Sequence, residues 1–99
     1  MINNATLRSE DAEIMAIQAL GFLAADAERL GRFLAATGMG PGDVRAAARE
    51  KWFLAGVLEH LAQHESDMIA FAENAGVAPE RVAQARRLLS GPPVERDIP

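Results

Sequence analysis

Two histidines four residues apart, His60 and His64, come nearest to chemistry in this 99-residue chain. On a helix that spacing brings two imidazoles to one side, where they can share a metal ion. The glutamate of the H-E-x-x-H pattern is missing, since Leu61, Ala62 and Gln63 stand between them, and no third ligand is placed by spacing. Packing and capping account for the pair better, and no metal is expected. The run Gly38-Met39-Gly40-Pro41-Gly42 has the glycines of a phosphate-cradling loop before a helix. Such a loop follows a strand and needs free backbone N–H groups, whereas here a helical pattern precedes it and Pro41 removes a donor.

Catalytic side chains are scarce. The chain has no Tyr and no Cys, its serines (Ser9, Ser66 and Ser90) fall at helix ends, and its carboxylates read as solvated or capping. No triad or carboxylate dyad emerges, so the expectation is a protein that is not an enzyme and takes no cofactor. One nucleic-acid pattern stands beside this. Ala72, Gly76 and Val82 have the spacing of the corner in a helix-turn-helix unit, which would set Arg81, Gln84, Arg86 and Arg87 on a recognition helix over residues 79–89. The same spacing serves any tight corner between helices, and Leu34, Gly38 and Val44 repeat it. Net charge is −4 and the sequence pI is about 5.1, which lowers attraction to nucleic acid or an anionic membrane. A structural corner is the favoured reading, with DNA binding as the alternative.

The elements that position these residues are written twice. At an offset of 38 residues Phe33 pairs with Phe71, Gly38 with Gly76, Pro41 with Pro79, Val44 with Val82, Ala47 with Ala85 and Arg49 with Arg87. Upstream, Leu20, Leu23 and Ala24 pair with Leu58, Leu61 and Ala62. The two units are 12–49 and 50–87. Each glycine marks a left-handed helix stop, each proline the first turn of a new helix, and Met39 or Val77 pins the two helices of the corner together.

The pattern predicts an all-α fold, a compact bundle of about six short helices in two pseudo-repeated three-helix units. Helices are expected at about 10–25, 27–37, 41–49, 51–63, 66–75 and 79–89. Helix one is the expected central strut, wrapped by its neighbours because Ile14, Met15, Ile17, Leu20, Phe22 and Leu23 cover more than one face. Asp26 reads as the cap of helix two. Trp52 stands opposite Ile14 in the repeat and is expected in the core. Residues 9–90 form the single domain, with flexible ends at 1–8 and 91–99. Cysteine-free and without an apolar run of the ~18 residues a spanning helix needs, the chain is expected to be soluble, cytoplasmic and free of membrane contact.

From Ala19-Leu20-Gly21-Phe22-Leu23-Ala24-Ala25-Asp26 through Glu28-Arg29-Leu30, Arg32-Phe33-Leu34, Thr37-Gly38 and Pro41, the chain resembles a family of small bacterial proteins known only as domain of unknown function 3572. The resemblance covers most of the chain and implies a small soluble bacterial protein. It carries no activity, so no functional residues follow from it. The functional expectation is an accessory or adaptor protein acting on a protein partner, a second copy of the chain among the candidates.

Overall fold

The computed structural model describes residues 7–90; of the flexible ends expected at 1–8 and 91–99, all but Leu7 and Arg8 lie outside the described residues. Six helices account for nearly all of it: α1 (Ser9–Ala24), α2 (Ala27–Thr37), α3 (Pro41–Ala47), α4 (Lys51–Gln63), α5 (Glu65–Ala75) and α6 (Pro79–Ser90). No strand occurs among the described residues.

Helix ends follow from the residues found there. Asp26 caps α2 by accepting from the Glu28 and Arg29 N–H groups at 2.9 and 3.1 Å. The Arg29 N–H bond holds the Asp26 carboxyl below its ordinary pKa, against some opposition from desolvation. Ser9 is not the cap of α1, as its sequence position suggests. The helix begins at Ser9, and the Asp11 carboxylate reaches back to accept from the Arg8 N–H at 3.2 Å. Asp43 does the same for the Gly40 N–H at the start of α3, at 3.0 Å.

Both corners stop on a left-handed glycine, Gly38 at φ 75° and Gly76 at φ 73°. Their hydrogen bonds differ. After α5, the Val77 N–H donates to the Ala72 carbonyl and the Gly76 N–H to that of Glu73, the paired bonds of a Schellman stop. After α2, Gly38 N–H donates to the Leu34 carbonyl alone, while the Met39 N–H turns to the Thr37 hydroxyl at 3.4 Å. Ala75 stands in the place of Thr37 at the second corner and offers no such acceptor.

The centre is a three-helix packing of α1, α4 and α6, with α2 laid on α1 and α5 set against α4, α6 and α1. Alternation at helical spacing gives α1 a buried face of Ala12, Met15, Ala16, Ala19 and Leu23. Three alanines on that face let α4 and α6 come close, so Val57, Leu58 and Leu61 of α4 and Val82 and Ala85 of α6 are fully enclosed. Phe33 from α2, Phe53 from α4 and Phe71 from α5 fill the remaining space. Each such ring contributes roughly 2–3 kcal/mol by leaving water.

Helix α1 is central but not wrapped. Ile14 and Ile17 are 55% and 52% exposed, because α3 is too short and too alanine-rich to cover them. Trp52 likewise lies outside the core at 65% exposure; Phe53 beside it is the residue that points inward, meeting the Trp52 ring edge to face at 5.9 Å. Ile69 and Leu88 are also exposed.

Three contacts are related by the 38-residue exchange. Phe22 meets Phe71 edge to face at 5.7 Å, and their counterparts His60 and Phe33 meet in the same way at 5.2 Å. Arg29 bonds directly to its own counterpart, Asp67. The third helices part company: α6 is built into the centre, while α3 packs thinly on its surroundings.

Replacing Gly76 with Ala should lower the stability by roughly 1 kcal/mol, because alanine must hold the left-handed conformation against its own Cβ. Pro79→Ala should lower it less, since either residue suits a first helical turn. Urea midpoints of the two variants check the order, and an unchanged midpoint for Gly76→Ala would contradict the strain.

Candidate functional site

Two features beyond the core carry chemical interest, a buried polar centre and an open apolar groove. The polar centre starts with Asp67, in the first turn of α5, whose side chain is 4% exposed. Arg29 and Arg32 on α2 converge on it. Arg29 donates from Nε to Oδ1 at 3.3 Å, and Arg32 donates from Nη2 to both oxygens at 3.1 and 3.2 Å. Arg29 also spans 3.5 Å to Asp26 and lies 4.6 Å over the Phe22 ring, so its guanidinium is held by two carboxylates and an aromatic face.

The two histidines lie nearby. Their rings stack at 4.1 Å between centroids with 27° between planes. The His64 ring nitrogen Nδ1 is 2.9 Å from the His60 carbonyl oxygen, and since a carbonyl only accepts, Nδ1 carries a proton and donates it. His60 is buried, edge-on to Phe33, and its Nε2 has no hydrogen-bond partner in the protein. Burial lowers the pKa of His60, His64 and Arg32 push in the same direction, and Asp67 opposes them. His60 thus packs as an aromatic core residue and His64 sits at the α4–α5 junction. No group of three or more metal-holding side chains occurs among the described residues.

The corner Gly38–Gly42 is a helix stop followed by a helix start, with its Gly40 N–H taken by Asp43. The residues of the helix-turn-helix alternative spread around α6. Arg81 and Arg86 stand roughly 140° apart on the helical wheel, either side of the buried stripe of Val82, Ala85 and Leu89. Arg86 turns to α4, where Nη1 donates to Glu59 at 2.9 Å. Arg81 donates to Gln84 at 3.4 Å along its own helix, and Arg87 is exposed on the far side.

Sequence reasoning missed Asp67, which fell among the carboxylates read together as solvated or capping. Its partners lie 35 and 38 residues upstream, and the 38-residue offset that pairs Arg29 with Asp67 is the one signal that could have joined them. The groove was also missed. Ile17, Leu20 and Ala24 of α1 form its floor, with Leu30 of α2, Val44 of α3 and Ala48 just past the end of α3 as walls, and its volume is about 440 Å³. Arg45 stands in its lining as the charged residue. Gly21 lies on the floor, and a Cβ built there meets nothing within 4 Å. Glycine at this position therefore serves no packing need inside the chain.

These features define a small all-helical domain whose buried charges are spent on tying helices together and whose apolar surface is left open on one side. The chain belongs to the family described as Protein of unknown function (DUF3572), whose model matches residues 9–92. No curated protein and no solved structure matches the chain significantly. No helix among the described residues is long and apolar enough to cross a membrane.

Two outcomes follow from this geometry. Because the folded state depresses the His60 pKa below the ordinary 6.5, the unfolded chain binds more protons there. That contribution to stability is complete above pH 6.5 and is lost as pH falls through the folded value. The urea midpoint should therefore drop between pH 7 and pH 5, and His60→Phe should flatten that slope. Gly21→Ala should raise stability by about 0.5–1 kcal/mol, the helix-propensity gain at a site with room for the methyl group, read from the same denaturation curves.

Proposed function

We propose that this protein is a non-enzymatic accessory or adaptor protein of the bacterial cytoplasm that works by contact with another protein chain. The observation that carries the reading is the apolar groove on the α1–α2–α3 side, continuous along α1 with half-exposed Ile14 and Ile17. Contiguous apolar surface of this kind, edged by a charged residue, is the usual mark of a protein contact site. The polar centre supports the same conclusion from the other direction. Asp67 is saturated by two arginines, and His60 is enclosed among aromatic rings, so neither is presented to a substrate.

Affinity capture from lysate with the labelled wild-type chain and with Ile17→Glu tests the proposal. Wild type should retain specific protein that Ile17→Glu loses, while circular dichroism shows both equally helical. Amide shifts with mixed duplex DNA should stay silent at Arg81, Gln84, Arg86 and Arg87. Salt-sensitive shifts there would favour DNA binding, since phosphate contacts weaken as counterions compete. Turnover of a small molecule would overturn both readings.

A further inference from the structure

The outward face of α1 has a regular seam. Glu10, Ile17 and Ala24 recur every seven residues, and Glu13 with Ile14 and Leu20 with Gly21 fill the positions between. That is the spacing by which one helix lies along another in a coiled-coil-like pair. The seam runs from acidic at its start, through isoleucine at its middle, to small residues at its end. Ile14 and Ile17 stand more than half exposed, and the floor over Gly21 is open. Along this face Glu13 and Leu20 are partly buried, Ile14, Ile17, Gly21 and Ala24 are exposed, and α3 reaches only the end where it forms the groove wall.

We infer that the occupant of this face is a second copy of the chain, docked with its α1 antiparallel to the first. This rests on the protein-contact reading above and names the partner. An antiparallel crossing centred beside Ile17 brings Ile14 of each copy over Gly21 of the other, a large side chain entering open space above the residue that has none. The same crossing carries the acidic start of each α1 to the groove of its partner. There Glu10 and Glu13 arrive beside Arg45, which has no carboxylate partner among the described residues; Glu10 itself makes a 3.9 Å exposed contact with Arg8. Both complementarities are reciprocal, as a two-fold contact demands: what one copy offers at the start of α1, the other receives at the end. A parallel arrangement has neither property, since it sets acid on acid and leaves both grooves empty. Helix α1 is about 24 Å long at 1.5 Å per residue, too short to hold a dimer as a bare helix pair. The groove walls supplied by Leu30, Val44 and Ala48 add the remaining contact.

Sedimentation equilibrium of the full chain from about 10 µM to about 1 mM tests the inference. The apparent mass of the wild type should rise with concentration from 10.6 kDa toward twice that value. Ile17→Glu should stay at the monomer mass throughout, with unchanged helicity. Glu13→Arg and Arg45→Glu should each shift the association midpoint roughly fivefold upward, two symmetric exposed pairs being lost in each case. The double variant should recover most of that shift, which a merely structural role for either residue would not produce. A wild type that remains at 10.6 kDa over the whole range overturns the second copy as occupant, as does a dimer indifferent to Ile17→Glu. A monomer that still captures another protein through Ile17 leaves the protein-contact reading standing without its dimer, and a monomer that captures nothing removes both.

Discussion

The Asp67 carboxylate is the constraint on which the arrangement of the outer helices depends. Helix α2 packs on α1, and its polar side would otherwise leave two guanidiniums facing the rest of the bundle. Asp67 turns that cost into a tie between α2 and α5, receiving three bonds from Arg29 and Arg32 at 3.1–3.3 Å. A carboxylate this deeply buried is tolerated only when its lone pairs are filled. The tie therefore works in both directions: the arginines keep the charge buried, and the charge fixes where α2 lies against α5. Phe22 beneath Arg29 and Phe33 beside His60 then have little freedom in how they meet the second half of the chain.

The same contacts explain why two such similar corners carry helices with different fates. Helix α6 has Val82, Ala85 and Leu89 on one stripe and is drawn into the centre against α1 and α4. Helix α3 has seven residues and offers Ala47 as its buried member. With so little apolar bulk it cannot close over α1, and the groove is the space it fails to fill. The open face of α1 is thus the consequence of a short helix, and Thr37, which redirects the Met39 N–H at the entrance to α3, belongs to the same local difference.

Residues with a local mechanical role were legible in the sequence. Asp26, Gly38, Gly76, Pro41 and Pro79 place helix starts and stops by rules that act within a few residues, and the six helices fall within one or two positions of the expected bounds. Residues whose role depends on distant partners were not. Trp52 and Ile14 have the composition of core residues, yet which side of α4 and α1 faces inward is decided by where the other helices lie, and both stand outside. Asp67 looks like any acid in the first turn of a helix until α2 is brought against it. The groove has no sequence signature of its own, because it is made by the absence of bulk at Gly21 and Ala24 on α1 and at Ala48 past the end of α3, far apart in the chain.

The alanine-lined face of α1 gives this core an uneven tolerance to change. Ala12, Ala16 and Ala19 are fully buried where α1 meets its neighbours, so little side-chain volume is available to be removed from that surface. Trimming these three alanines creates almost no cavity, whereas a single methylene added at any of them must push whole helices apart, at about 1–3 kcal/mol for each misfit. Substitutions at these three alanines would fail by swelling, and those at Met15 and Leu23 of the same face by hollowing. Changes of size are taken up more easily at the rim, as at Trp52, which stands outside the spacing of the helices within.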